Sequence, residues 1–569
     1  MKLFKHINRL AHNQKLLFWL FIGVLILPNC IMAFTERMGI LGRICNVVLP
    51  LSAYWMAMTF SRKPGKALWA MFLFLFYDAF EIVLLHLFGE APIAVDMFLN
   101  VVTTNVGEAT ELLGNLWLSV VFVVVVYGGG LILGVVSWRN MMDLPLFYRL
   151  VQRKRAAVLL IPALVLTIAT HFIDRSYKFY NDLFPVNVTY NLGLAVQRYF
   201  LTENYFETSR NFKFAAVSAH EAQQPEVYVL IIGETARAES FGIYGYERNT
   251  TPCLAAMSDS LIIVRDALSE SNTTHKSVPM ILSAASAECF DRVYTQRSLI
   301  AAFNEAGYAT SFYSNQRYNH SFIDFFGREA DKNVYVKEVY ADSANVSDGT
   351  LLELLRTSLA DTRNSKKLIV LHTYGSHFAY HERYPADKAV FKPDVPLSAG
   401  LLEREKLINS YDNTICYTDY FIASVINMVA AEQCPAAVIY TSDHGEDIYD
   451  DSRHLFLHAS PAPSIHQIYV PWIAWLSSQY IERWPDVAPT LRANALKPIA
   501  TNKVTFHTLL DIAGISGNQI DRRLSLASPT FTVTPRYYLN DHNEPCRLNT
   551  VGLKDPDFDF ARRHHLRLP

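Results

Sequence analysis

Five long apolar segments crowd the start of the chain, at approximately 15–34, 44–60, 67–88, 117–138 and 156–172. Each approaches the ~20 residues an α-helix needs to cross a hydrocarbon layer of roughly 30 Å. No other feature constrains the fold as much, because in lipid every backbone N–H and C=O must be satisfied within its own segment, which a helix does. Pro50 interrupts the second segment and the fifth is short, so their ends stay open. The composition agrees: 51% hydrophobic and 18% charged residues are too apolar a mixture for an ordinary soluble chain of 569 residues. No small-residue cleavage site follows the first segment, so it is not expected to be a cleaved signal peptide.

The flanking charges predict an orientation. Lys2, Lys5, Arg9 and Lys15 precede the first span, Arg62, Lys63 and Lys66 separate the second from the third, and Arg139, Arg149, Arg153, Lys154 and Arg155 separate the fourth from the fifth. The 89–116 loop has no basic residue and carries Glu90, Asp96, Glu108 and Glu111. Basic loops stay in the cytoplasm, so the N-terminus is expected there and everything after about residue 173 outside, in a bacterium the periplasm. The expected organisation is a five-helix transmembrane domain over 1–172, an interfacial linker rich in tyrosine over 173–225, and an outer domain over 226–569.

In the outer part, strand-like runs at 227–232, 261–264, 308–313, 367–372, 436–441 and 468–475 alternate with helix-like runs at 296–306, 348–361, 401–432 and 503–513. That alternation predicts an α/β sandwich with a mostly parallel sheet. The net charge of −2 excludes a strongly basic nucleic-acid binder. Seven cysteines without a CxxC pair argue against a cysteine zinc site and leave room for one or two disulfides.

Two of those strands end alike. Tyr228 to Ile232 runs into Gly233 and Glu234, and Ala437 to Ser442 runs into Asp443 and His444. Parallel sheets place their chemistry at the carboxyl ends of their strands, and Glu, Asp and His are ligands suited to zinc or manganese. Asp443 as a helix cap and His444 as a turn residue would explain the second motif alone; the matched pair favours a metal site. Between them, Thr274 opens an apolar helix in Asn272 to Met280. On spacing alone it reads as an N-cap; beside a metal its hydroxyl becomes a nucleophile at the positive end of a helix. His372, His377 and His458 are further residues for the site, and His454 is a weaker one. Asn100, Thr104 and Glu108 recur every four residues and share a helix face, which spacing alone reads as a solvated face and otherwise as a cradle for a lipid headgroup.

Together these motifs resemble the bacterial phosphoethanolamine transferases that modify lipopolysaccharide, the family that includes the mobile colistin-resistance enzymes. The resemblance rests on Gly233 to Arg237, Tyr244 to Pro252, Thr274 ahead of Ser277-Val278-Pro279, His372 to His377, and Ser442 to Glu446. It implies an alkaline-phosphatase-like, sulfatase-like outer domain behind five spans. It implies Glu234, Thr274, Asp443 and His444 as zinc ligands with Thr274 as the catalytic nucleophile, and His377 and His458 beside the substrate phosphate, where a second zinc is open. It turns Asn100, Thr104 and Glu108 into the site for the phosphoethanolamine headgroup.

The implied reaction moves phosphoethanolamine from phosphatidylethanolamine to lipid A or the core sugars of lipopolysaccharide through a phosphoethanolamine–threonine intermediate. The enzyme would be a monomer in the inner membrane with lipids as partners and no nucleic acid. The added cation would weaken binding of cationic peptides such as polymyxin. The chain departs from the pattern where relatives flank the nucleophile loop with a disulfide: Glu270 and Met280 stand there. Tyr313-Ser314-Asn315-Gln316 also replaces a Ser-Gly-Cys-Lys substrate patch, which leaves the acceptor open. A phosphoglycerol transferase of the lipoteichoic-acid-synthase type is the alternative. A simple sulfatase or phosphodiesterase is less expected because this chain shows no modified-residue nucleophile motif, and a non-catalytic membrane sensor would need broken ligands.

Overall fold

The computed structural model describes residues 13–36, 38–88, 93–103, 117–174, 177–221, 224–339 and 346–568. They fall into two compact units, divided between Gln197 and Arg198.

The first unit is helical. Its main helices are α1 (Gln14–Thr35), α2 (Ile40–Met58), α3 (Pro64–Ala70), α4 (Phe72–Phe88), α5 (Trp117–Val123), α6 (Gly129–Arg139) and α7 (Leu146–Ile173). Among the described residues four helices are long and apolar enough to cross a membrane, and α3 with α4 makes a fifth if that pair, bent by 70°, is one span. Pro50 does not break the second span; it lies inside α2. The fifth is longer than its apolar run, because α7 continues through Arg149 to Arg155. A π-helical turn, Val124–Gly128, joins α5 to α6.

Small residues let α3 approach α6. A Cβ on Gly65 would lie 1.9 Å from the Gly134 carbonyl oxygen, and the Gly65 N–H donates to Ser137 Oγ at 3.0 Å. Buried amides tie the linker to the spans: Asn29 Nδ2 donates to the Phe184 carbonyl at 2.8 Å, and the Phe184 N–H donates to Asn46 Oδ1 at 3.1 Å. The 173–225 stretch contains the helices Phe179–Asp182, Val186–Glu203 and Tyr205–Thr208.

The second unit is built on a seven-stranded sheet of β1 (Glu226–Gly233), β2 (Leu261–Val264), β3 (Ala309–Ser314), β4 (Lys332–Tyr335), β5 (Lys366–His372), β6 (Ala436–Ser442) and β7 (Trp472–Leu476), in the order β2-β7-β6-β1-β5-β3-β4. Only β7 runs against the rest, antiparallel to both β2 and β6. Central β1 is buried at all eight positions. Successive side chains of a strand face opposite ways, so a strand covered on both faces must be apolar throughout. Here Tyr228, Leu230 and Ile232 enter one core with α8 (Thr274–Leu282) and α11 (Thr501–Ile512). Val227, Val229 and Ile231 enter the other with α9 (Gly349–Leu359) and α10 (Arg404–Ala430).

The register levels the strand ends: Ile232 pairs with both His372 and Thr441. The loops after β1, β5 and β6 therefore leave the sheet at one edge. All seven cysteines are free thiols, so none of them forms the one or two disulfides that the cysteine count left room for.

Candidate active site

The levelled strand ends gather Glu234, Asp443 and His444 into one buried cluster whose ligand atoms lie within 4.8 Å of one another. Each side chain is aimed by partners that leave specific atoms bare. Asp443 Oδ1 accepts from the backbone N–H groups of His444 (2.7 Å) and Thr235 (3.0 Å), while its Oδ2 has no hydrogen-bond partner. The His444 Nδ1–H donates to the Gly445 carbonyl at 2.9 Å, which leaves Nε2 as the lone-pair nitrogen. That Nε2 is 3.3 Å from Asp443 Oδ2 and 3.5 Å from Glu234 Oε1. Burial disfavours an imidazolium here, but the Asp443 and Glu234 carboxylates outweigh it and raise the His444 pKa, as expected where negative charge waits for a cation.

Thr274 completes the cluster. It is the first residue of α8, and its Oγ lies 3.2 Å from both Glu234 oxygens and 3.1 Å from His444 Nε2. The Asp443 carbonyl anchors the helix by accepting from Ser277 Oγ at 2.6 Å. Asn502 of α11 donates to Ser277 Oγ at 2.7 Å and accepts the Glu270 N–H at 2.6 Å. Packing and these bonds hold the loop in place of a disulfide.

Thr235 is the adjacent alternative to Thr274 as the reactive hydroxyl, and its environment is different. It is fully buried, and its Oγ donates to Glu234 Oε1 at 2.7 Å. Its φ of +60° shows that the left-handed turn after β1 is made at Thr235. Gly233 is not at positive φ; it makes room, since a Cβ there would sit 2.6 Å from the Tyr440 hydroxyl. Gly375 does need its freedom: at φ +45° its missing Cβ would meet the Glu234 carbonyl at 2.6 Å.

His377 and His458 stand at the rim. The His458 ring is 4.2 Å from that of His444 and 6.3 Å from that of His377, centroid to centroid. Burial lowers both their pKa values to about 3, His458 also feeling His444, so both imidazoles are neutral near pH 7. His377 stacks on Tyr374 at 4.8 Å. His458 is gripped through Nδ1 by Glu446 Oε1 at 2.9 Å, and Tyr380 donates to the other Glu446 oxygen at 2.6 Å. His372 is instead fully buried within β5, with Nδ1 3.1 Å from Ser314 Oγ, and His454 is exposed.

Two contacts escaped the sequence reading. Gln316 Nε2 donates to Glu234 Oε2 at 2.8 Å and so helps aim that carboxylate. Glu446 positions His458; only its place in the Ser442 to Glu446 motif hinted at it. For the headgroup residues, Thr104 and Glu108 lie outside the described residues, and Asn100 is described only as part of the helix Val95–Thr103.

A second acidic cluster, Glu239, Asp450 and His466, has metal-like spacing. Arg237 occupies it, 3.0 Å from Glu239 and 2.8 Å from Asp450. Against the effect of burial, Glu239 and Asp450 raise the His466 pKa to about 10, so the imidazole is itself a cation. Its charges are already paired, whereas the bare Asp443 Oδ2 and the lone-pair Nε2 of His444 fit a metal ion.

A sequence model described as "Sulfatase" matches residues 226–515, which takes in β1 and every residue of the cluster. The chain belongs to the sulfatase family. Among curated members, the Kdo(2)-lipid A phosphoethanolamine 7''-transferase of Escherichia coli (strain K12) is 36% identical over 264 residues, 45% of this chain and 45% of that one. Phosphoethanolamine transferase EptC of Escherichia coli (strain RS218) is 29% identical over 330 residues, 56% of each. The chain thus spans about half the length of the curated relatives it matches.

Among solved structures, the C-terminal periplasmic domain of Escherichia coli EptC, in complex with Zn, matches with a TM-score of 0.54 and 28% identity over 60% of this chain and 98% of that one. The integral membrane protein lipooligosaccharide phosphoethanolamine transferase A of Neisseria meningitidis matches with a TM-score of 0.68 and 20% identity over 89% of this chain and 98% of that one, a likeness of fold.

Proposed function

We propose that the protein is an inner-membrane, zinc-dependent phosphoethanolamine transferase acting on lipid A or the core of lipopolysaccharide. One observation carries the reading: a helix-opening hydroxyl, Thr274 Oγ, sits against Glu234 and the lone-pair Nε2 of His444 beside the unpartnered Asp443 Oδ2. The names of the relatives supply the group transferred and the acceptor class.

Glu234, Asp443, His444 and Thr274 would hold the metal, which when bound supplies positive charge to favour a threonine alkoxide and to offset charge on the phosphoryl oxygens. Thr274 Oγ attacks the phosphorus of phosphatidylethanolamine; an O–P bond forms and the bond to the diacylglycerol oxygen breaks, the diacylglycerol leaving with a proton. Both Glu234 oxygens are within reach of the threonine proton. A phosphate or hydroxyl of the acceptor then attacks the same phosphorus and frees Thr274. Neutral His458, held through Nδ1, offers Nε2 to the acceptor's proton, and His377 faces the same rim.

In this reading Asn100, Thr104 and Glu108 receive the headgroup, the N-terminus is cytoplasmic and the second unit is periplasmic. Mass spectrometry of lipid A and lipopolysaccharide from cells expressing the wild type and Thr274→Ala tests it. Phosphoethanolamine should be added only by the wild type. Addition that persists in the variant would overturn the role of Thr274, and phosphoglycerol in its place would overturn the donor.

A further inference from the structure

Helix α4 carries two carboxylates into the apolar bundle of the first unit. Asp78 and Glu81 are fully buried, and with Phe74 they share one face of the helix. Glu81 Oε2 accepts from the Ile93 N–H at 3.0 Å, but Glu81 Oε1 and both oxygens of Asp78 have no hydrogen-bond partner. Two phenols from other elements meet them. Tyr54 of α2 packs edge-on against Phe74 with ring centroids 6.2 Å apart, and Tyr127 lies in the π-helical turn between α5 and α6. Both side chains are over nine-tenths buried, and neither hydroxyl has a partner. Both lie within electrostatic reach of the Asp78 carboxylate, and Tyr127 also within reach of Glu81.

Five orphaned oxygens in one apolar bundle need an explanation, because an unsatisfied polar group is strongly disfavoured there. The charged neighbours that bear on the two carboxylates are acidic, namely each other and Glu36, so no cation of the described chain answers them. The donor set is all oxygen, with neither sulfur nor imidazole, which selects a hard cation. Enclosure favours a compact one. Two carboxyls on one helix face in an apolar bundle do not both ionise, so the site carries one negative charge, which a single monovalent cation balances. Ionisable side chains inside a membrane bundle, and π-turns inside helices, both mark binding sites more often than packing.

We propose that Asp78, Glu81, Tyr54 and Tyr127 form an intramembrane site for one compact monovalent cation, an alkali ion or a primary ammonium. It is separate from the candidate metal cluster and does not depend on the reaction assigned to it.

The test is thermal unfolding of the full-length protein in detergent at constant ionic strength, exchanging choline chloride for sodium, potassium or ethanolamine hydrochloride. A bound cation should raise the midpoint by ~3 °C per tenfold in its concentration above its dissociation constant. The shift should vanish in the isosteric pair Asp78→Asn/Glu81→Gln, and the cation that produces it names the occupant. Should the pair fail to fold, Tyr127→Phe keeps both carboxyls and should weaken the response to the same cation. No shift with any of the three, or a shift that survives these substitutions, overturns the site. A shift seen only with magnesium or calcium and lost in the double variant overturns its monovalent character.

Discussion

Glu270 is a buried carboxyl beside the reactive loop with almost nothing to ionise for. Its Oε1 has no partner, and its Oε2 receives only the Ala287 N–H at 3.4 Å. Burial pushes its pKa up to about 8 from an ordinary 4.5. The folded state therefore holds a proton that the unfolded chain releases. The stabilisation is complete below about pH 4.5 and is lost as the pH rises through about 8. Each pH unit across that window costs the folded state about 1.4 kcal/mol. Glu270→Gln should flatten this slope, so that urea midpoints of wild type and variant, measured from pH 4.5 to 8, diverge upward with the variant the more stable at pH 8. Equal slopes would contradict the neutral carboxyl. The cluster itself was legible residue by residue, because strand-end motifs announce Glu234, Asp443 and His444 directly. The support was not: Gln316 reaches Glu234 from a loop after β3, and only the fold shows Thr235 to be fully buried.

Among elements, α8 matters most because its first residue, Thr274, is the proposed nucleophile and its position is borrowed. Asn502 of α11 holds Ser277 and the Glu270 N–H together, and Ser277 in turn grips the Asp443 carbonyl. Asn502→Ala orphans several buried groups and should cost ~1–3 kcal/mol, read as a lowered urea midpoint. It should also slow transfer with little change in KM, since it moves the nucleophile and leaves the rim in place; a fall in stability with unchanged kcat would sever that link. Strands with uniform apolar character, such as Val227 to Ile232, were read from sequence within a residue or so. The edge strand β4 was missed because Lys332 and Asn333 are exposed and its side chains carry no run of apolar residues. The run at 468–475 begins late as a strand, at Trp472, because the backbone before it bonds elsewhere: the Ile468 and Tyr469 N–H groups donate to the Ile465 carbonyl and the Val470 N–H to the Ala267 carbonyl. The break between α3 and α4 had no proline to announce it.

At the scale of the whole molecule, hydropathy and alternation announced apolar helices followed by an α/β domain with a mostly parallel sheet, while the polar interior of the helical part was hidden within apolar averages. The second unit buries Glu234, Asp443 and His444 together, a charge arrangement that a bound metal relieves. Chelation should lower its calorimetric midpoint, zinc at about a hundredfold over its dissociation constant should restore ~2.7 kcal/mol, and Asp443→Asn should abolish the response. A midpoint indifferent to chelator would count against the metal centre. The reversed strand has a further consequence. Because β7 runs against β6, the chain between them never crosses to the far edge of the sheet. The whole excursion from Asp443 to Pro471 stays on the reactive side, carrying His444, Glu446, His458 and His466 in a single loop. A loop so placed can be lengthened or redrawn without rethreading a strand, while Asp443 and His444 stay fixed at its root.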